Sequence, residues 1–553
     1  MPLSSNISPE ALLARIQTPT GHSKQYTPTA IHAEATLAAK FADCSVEPLP
    51  KFRVRQEGMD SDMAYKMIKE ELDLDGTPAL NLASFVNTYL DDNALELAKQ
   101  NLSKNLADSD EYPALLAIHQ RCVTMIAHLW NVPQHCTAIG TATTGSSEAI
   151  HLGGLAMKRK WEERQKANGK DSSKPNIIMG ANAQVALEKF ARYFDVEARI
   201  VDVDANAGYG FNPDKLKEYL DENTIGVFVI LGSTYTGHYQ DVEGVNRVLD
   251  DYEKKTGISI PIHVDGASGA FVAPFVHPNY LWDFRLKRVV SINTSGHKFG
   301  LTTAGCGWII WRDRPYLPDS LMFVLKYLGG SEETYTLNFS RPGFPVIHQY
   351  YNLVSYGYEG FRDLHGSSLI NARLLSKFLE STEYFNVVSD IHRLKSDPTA
   401  HASPHDIISK EHELFVDGLP VVAFQFSKQF REEYPEIPQE AISTFLRMKG
   451  YIIPNYPLPP AYEDQEVLRV VVRASHTVDL LDKLMADIVK VVQRLIASVN
   501  EYRDPQTKKS ERSAQLYAML AKAVEADSSQ IEHEDLWEID EDSGTRSTHP
   551  TAC

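Results

Sequence analysis

Cysteine is scarce in this chain: five in 553 residues, Cys44, Cys122, Cys136, Cys306 and Cys553, widely scattered. They form no CxxC pair and no framework spacing, so a disulfide scaffold is not expected; buried small hydrophobes in a reducing compartment are. Positive charge is also in short supply. Lys plus Arg number 55 against 73 Asp plus Glu, a net charge of -18. That balance excludes nucleic acid as an expected partner, because neutralising phosphates needs clustered cations. It equally gives no long-range attraction for an anionic substrate, so local groups must bind one. Long apolar runs are missing too: stretches such as Val227-Phe228-Val229-Ile230-Leu231 are strand-sized and too short to span a bilayer. The opening MPLSSNISPEALLARI lacks the continuous apolar stretch of a secretory signal. A cytoplasmic, soluble protein with no membrane partner is the expectation. GxxxxGK[ST], GxGxxG and HExxH are all absent, which disfavours nucleotide and metal-centred readings.

What is present is ordinary globular composition, 43% hydrophobic and 23% charged, with enough chain for more than one domain. Four regions can be read. Residues 1–79 mix helical stretches, including one capped by Ser8 with Pro9 in its first turn, with polar segments. From 80 to 368 strands and helices alternate. Apolar runs with strand character lie at Asn176–Met179, Ala198–Val203, Ile225–Leu231, Ile260–Val264, Val289–Asn293 and Cys306–Trp311. Helix patterns fall between several of them: Val185–Phe194, Pro213–Leu220 behind an Asn212 cap, and Asp241–Lys255 stopped by Gly257. This alternation predicts a mainly parallel sheet covered on both faces, with ligands at the strands' carboxyl ends. After a long connecting helix, residues 369–505 read as a smaller α/β domain, and 506–553 as an acidic polar tail expected to be disordered.

Three short motifs carry the chemistry. In SINTSGHKFG, Lys298 follows a strand after a Ser/Gly/His turn, where a lowered pKa would let its amine form a Schiff base with an aldehyde cofactor. Taken alone, such a lysine reads more often as a solvated loop residue. In HVDGASG, His263 and Asp265 share one strand face. A carboxylate buried there needs a cationic or donor partner, such as the pyridinium nitrogen of pyridoxal phosphate; capping the following turn is an equal alternative. His263-x-Asp265 could also begin a metal site, but nothing completes one, so no metal is expected. In TATTGSSEAIHL, Ser146 and Ser147 open a helix whose positive end suits a phosphate; taken alone, ordinary serine capping is the preferred reading of this segment.

The three lie in the chain order of phosphate seat, ring carboxylate and lysine, and at this point the chain resembles the glutamate decarboxylases among fold-type I PLP enzymes. NLASFVNTYLDDNALEL, NLADSDEYPALLAIHQRC, GTATTGSSEAIHLGG, QVALEKFARYF, GSTYTGHYQDV, HVDGASGAFVAPF, SINTSGHKFGL and NFSRP carry the likeness, which runs from about residue 50 to 500. The resemblance implies a PLP-dependent transferase-like large domain and a smaller C-terminal α/β domain. It implies Lys298 as the cofactor-binding lysine and Asp265 on the ring nitrogen. Ser146, Ser147, Ser295 and His297 would hold the phosphate, with Ser340 supplied by a neighbouring subunit of a homodimer or homohexamer. Gln184 would stack on the ring and Thr234 would meet its hydroxyl. Ser84 (threonine in some members), Phe85, Asn105 and Asp108 would receive the side-chain carboxylate of L-glutamate, and Arg469 a substrate carboxylate. Asp108 beside an anion requires one carboxyl to be protonated, which like-charge proximity favours. The implied reaction converts L-glutamate to 4-aminobutanoate and CO2.

Two alternatives stay open on the residues: a PLP decarboxylase of aspartate or an aromatic amino acid, and a catalytically silent scaffold. Gln184 and the polar Ser84/Asn105/Asp108 set disfavour the aromatic reading. Some relatives carry a calmodulin-binding tail with tryptophan among lysines. Here Trp537 sits in IEHEDLWEIDEDSG, among acids, which argues against calmodulin. A helical stretch over 502–522 precedes it.

Overall fold

In a computed structural model of the chain, the described residues are 54, 56, 58–108, 110–325 and 332–503. The Ser8 cap, the whole of the expected tail over 506–553 and the expected 502–522 helix beyond Arg503 lie outside them. The chain divides between Asp75 and Gly76 into two compact units. The first contributes one described helix, α1 (Ser61–Leu72), whose cap Asp60 accepts from the amides of Asp62 and Met63, and which buries none of its residues.

The second unit is built on a seven-stranded sheet. Its strands are β1 (Ile139–Thr143), β2 (Asn176–Gly180), β3 (Glu197–Val201), β4 (Thr224–Ile230), β5 (Ile262–Asp265), β6 (Val289–Thr294) and β7 (Gly307–Trp311). The order is β1-β7-β6-β5-β4-β2-β3. All neighbours from β6 to β3 run parallel, and β7 is antiparallel to both β6 and β1. Strands β2, β4, β5, β6 and β7 are buried along their whole length, as a sheet covered on both faces requires. The helices that cover this sheet or hold it from its flanks are α2 (Asp92–Gln100), α3 (Pro113–Leu129), α4 (Ser146–Ala167), α5 (Val185–Tyr193), α6 (Val242–Thr256) and the first half of α7 (Phe344–Ser381).

The six strands expected from apolar runs are all found, with shifted ends. The run expected as Ala198–Val203 stops at Val201, and Val203–Asp204 instead pairs with Gly210–Phe211 in a small ribbon. Strand β5 starts at Ile262 rather than Ile260, after Pro261, which cannot donate to a ladder. Pro213–Leu220 is a 3-10 turn over Pro213–Glu218, not an α-helix; with Lys and Glu filling a six-residue stretch, only Leu216 is buried. Helix α6 forms as read, with Asp241 accepting from Gly244 N and Gly257 left-handed at its end.

A second sheet, β8 (Phe385–Val387), β9 (Val421–Phe426), β10 (Asn455–Pro457) and β11 (Glu466–Val471), is antiparallel throughout in the order β8-β9-β11-β10. The second half of α7, α8 (Glu440–Met448) and α9 (Val478–Arg503) cover it through Leu375, Leu379, Leu446, Leu484 and Ile488. Helix α7 breaks at Gly357 (φ 57°, ψ -167°). Beyond the break, Phe361 and Leu369 still join the first core, and Leu375 and Leu379 join the second. No described helix is long and apolar enough to cross a membrane.

Candidate active site

The carboxyl ends of β4, β5 and β6 deliver the turns 231–238, 265–271 and 295–301 to one place. Lys298 stands in the last of these. Its Nζ donates to Ser268 Oγ at 3.3 Å and lies 5.4 Å over the Phe85 ring. Burial pushes its pKa down, Asp265 opposes the shift and the Arg469 cation adds to it. The turn is held rigidly: Ser295 N donates to Ala267 O, and Leu301 is forced to a left-handed φ of 62°. Side chains on α7 brace it, with Gln349 and Asn352 donating to Gly300 O at 3.2 Å.

Asp265 ends β5 with 1% of its surface exposed. Its Oδ1 accepts from Asn293 Nδ2 at 2.9 Å and from Ala267 N at 3.1 Å, so it also caps the turn, as the alternative reading held. Its Oδ2 is buried with no partner. Burial raises its pKa. Such an atom calls for a donor from outside the chain. His263, two residues earlier, gives both ring nitrogens to β6, to Ser291 Oγ and Asn293 Oδ1 at 2.7 Å each. No nitrogen is left for a metal, and among the described residues no cluster of three or more His, Cys, Asp or Glu converges on one point.

Ser146 and Ser147 occupy the first turn of α4 behind Gly145, with no side-chain cap. The first-turn amides have no acceptor inside the helix. The approach is close: a Cβ on Gly145 would lie 3.3 Å from His297 Cε1, and one on Gly307 would strike the Gly145 backbone at 2.4 Å. His297 is fixed by its Nδ1 against Cys306 O at 2.7 Å, and burial lowers its pKa. Ser295 is fully buried and its Oγ has no partner. Ser146, Ser147, His297 and Ser295 therefore border the lysine's turn. Gln184 is the residue before α5 and Thr234 lies in the turn after β4; both are half-buried.

Opposite stands Phe85, with Lys298 on one hand and Arg469 on the other, the guanidinium 4.9 Å from the ring centre. Arg469 projects from β11, donates to Thr234 O at 2.5 Å and Ala83 O at 2.7 Å, and also lies against Tyr456. Its Nε is buried without a partner. Ser84 and Phe85 are held in place from both sheets. Asn87 N donates to His297 O at 2.8 Å, and Arg473 donates to the carbonyls of Val86 and Asn81. Ser84 Oγ accepts from Val86 N.

The remaining expected residues form a separate ledge. Asn105 Nδ2 donates to Ser340 Oγ at 3.4 Å, Asn105 Oδ1 accepts from Arg341 N, and Asp108 N donates to Asn105 O. Among the described residues, no hydrogen bond joins this ledge to Lys298, Asp265 or Arg469. Buried Glu148, on α4, holds the segment that leads to Ser340. It accepts from the amides of Thr144 (2.8 Å), Leu337 (3.1 Å) and Asn338 (3.2 Å).

A family model for the pyridoxal-dependent decarboxylase conserved domain matches residues 58–394. The chain belongs to the pyridoxal-dependent decarboxylases. It is 52% identical over 468 residues to a glutamate decarboxylase of Saccharomyces cerevisiae, covering 81% of this chain and 80% of that one. It is 44% identical to one of Solanum lycopersicum, covering 84% and 87%. Among solved structures, a Lactobacillus brevis glutamate decarboxylase superposes with a TM-score of 0.73 at 37% identity, covering 81% and 95%. A Burkholderia pseudomallei sphingosine-1-phosphate lyase at 17% identity and TM-score 0.63 shares the fold.

The cofactor of this family is pyridoxal phosphate, and the residues present fit it. The unpartnered Asp265 Oδ2 suits a protonated ring nitrogen, Ser295 Oγ and the α4 amides suit a phosphate, and Lys298 suits the aldehyde. Sequence reasoning missed Ser268, Asn293, Glu148, Tyr456 and Arg473. Asn293 faces Asp265 across the β5/β6 ladder, as Ser291 faces His263, a pairing that only the strand register reveals.

Proposed function

We propose that this chain decarboxylates L-glutamate to 4-aminobutanoate and CO2. The observation that carries the reading is Arg469, a guanidinium with an unused buried Nε, one aromatic ring away from Lys298. Its planar fork suits a carboxylate, and it overcomes locally the repulsion of the net charge of -18. The glutamate decarboxylase relatives support the same substrate.

Bound pyridoxal phosphate supplies the electron sink that lets a Cα–carboxylate bond break. The chain's own groups do the rest. Lys298 Nζ, kept towards its neutral form by burial and Arg469, is the amine that retains the cofactor and yields to the substrate's amine. Asp265 Oδ2 would hold a proton on the ring nitrogen, and Ser146, Ser147, Ser295 and His297 would hold the phosphate. Gln184 would meet the ring and Thr234 its hydroxyl. Arg469 orients one carboxylate, and Phe85 keeps water from the reacting carbon. Ser84 receives the other carboxylate, together with Asn105 and Asp108. We assign Asn105, Asp108 and Ser340 to the site of a partner subunit in a homodimer or homohexamer, because they make one ledge apart from Lys298. Cytoplasmic residence is proposed on the scarce cysteines, of which Cys122, Cys136 and Cys306 are free thiols.

The test is to incubate PLP-loaded protein with L-glutamate and follow 4-aminobutanoate by chromatography and proton uptake in a pH-stat. In acidic buffer purged of CO2, where no proton returns through bicarbonate, one proton consumed per 4-aminobutanoate is expected; no product, or product at the normal rate from K298A, overturns the proposal.

A further inference from the structure

We infer that Asn293, oriented by His263, is the positioning residue that presents Asp265 to the cofactor's ring nitrogen; the inference rests on the PLP-site reading above. The hydrogen-bond directions are determined link by link. Asp265 Oδ1 can only accept as a carboxylate, so the group facing it at 2.9 Å is the Asn293 amide nitrogen. Asn293 Oδ1 must then face His263 Nε2 at 2.7 Å, and that nitrogen must carry hydrogen. His263 is neutral, burial holding its pKa down to about 4. Its Nδ1 therefore accepts, and Ser291 Oγ donates to it at 2.7 Å. One directed chain results: Ser291 to His263 to Asn293 to Asp265.

Every member of the chain is buried, three of the four completely. The chain cannot reverse without leaving a buried group unpaired. The register supports it, since β5 and β6 pair His263 with Ser291 and Asp265 with Asn293. The imidazole cannot turn away. Helix α4 presses on it, a Cβ on Gly153 reaching 2.5 Å from the ring, and Phe228 meets it edge-on at 5.4 Å. The helix that begins at the phosphate seat thus also braces the group that orients Asp265. With Oδ1 taken by Asn293 and Ala267, only Oδ2 is free. A single free oxygen is what a lone N–H requires.

The test uses holoenzyme reconstituted with pyridine-15N-labelled PLP in wild type, N293L, H263Q and H263L, reading the ring-nitrogen shift by NMR across pH 6–8, PLP affinity by equilibrium dialysis, and kcat. In wild type the nitrogen is protonated throughout. N293L is expected to retain PLP through Lys298, with about tenfold weaker affinity, while losing ring protonation within that range and at least a hundredfold in kcat. H263Q can still donate to Asn293 Oδ1 and is expected to restore most of the wild-type shift; H263L cannot. An N293L protein with wild-type shift and affinity overturns the inference, as does H263L matching H263Q. A wild type whose nitrogen is unprotonated refutes instead the assignment of Asp265 on which the inference rests.

Discussion

Replacing Arg469 by Met keeps most of the side-chain volume and removes the charge and the fork. Two backbone bonds are lost, to Thr234 O at 2.5 Å and Ala83 O at 2.7 Å. Hydrogen bonds to charged groups contribute about 1.5–3 kcal/mol each. Part of this is recovered because Met still packs on Phe85 and Tyr456, so a fall in folding stability of about 2–4 kcal/mol is expected. The catalytic loss is separate. Removing a buried carboxylate partner costs about 3–4 kcal/mol, and each 1.36 kcal/mol is tenfold in rate, giving roughly 10²–10³ in kcat/KM. PLP content should stay near one per chain, because Lys298, Asp265 and Ser295 are untouched. Arg469→Lys should rescue stability more than kcat/KM, since an ammonium lacks the planar fork. The assay is steady-state CO2 release at several glutamate concentrations, with urea unfolding in parallel. A kcat/KM within threefold of wild type, at full PLP occupancy, would refute the carboxylate role of Arg469.

The other predictions follow from the same contacts. Glu148→Gln, though isosteric, replaces one of two accepting oxygens by an NH2 group, which must then face either the Thr144 amide or the Leu337 and Asn338 amides, and should cost about 2–3 kcal/mol in urea unfolding and weaken PLP binding; unchanged values would show that the ledge is anchored elsewhere. Asp265→Asn should keep PLP yet lower kcat at least a hundredfold, measured by single-turnover CO2 release. Lys298 has a lowered pKa, so its neutral amine prevails at a lower pH than in a free lysine. The rate at which apoprotein takes up PLP should rise with pH and level off below the ordinary lysine value of about 10.4. Continued rise through that value in stopped-flow absorbance would contradict the shift.

Much of this was legible from sequence because the buried strands are short apolar runs bounded by Gly, Pro and Asn. β1 was not named, and its composition explains why. Ile-Gly-Thr-Ala-Thr has little apolar bulk, since Gly140 lies so close to β7 that a Cβ would sit 2.5 Å from Ile309 O. Residues near Lys298 in the chain, such as Ser295 and His297, could be read from one motif. Ser268, Tyr456 and Arg473 could not, because their roles depend on loops and a second sheet meeting across 30 to nearly 400 positions. Arg469 was reached only through resemblance; its place between Phe85 and Tyr456 is a property of the fold. Asn293 needed strand register, which a single sequence leaves open.

Selectivity of this PLP decarboxylase for glutamate is read from kcat/KM for CO2 release by the PLP-loaded wild type with L-glutamate, L-aspartate and L-tyrosine in turn. Turnover of glutamate is expected to exceed that of the other two at least a hundredfold. Equal or faster release from aspartate or tyrosine would contradict it.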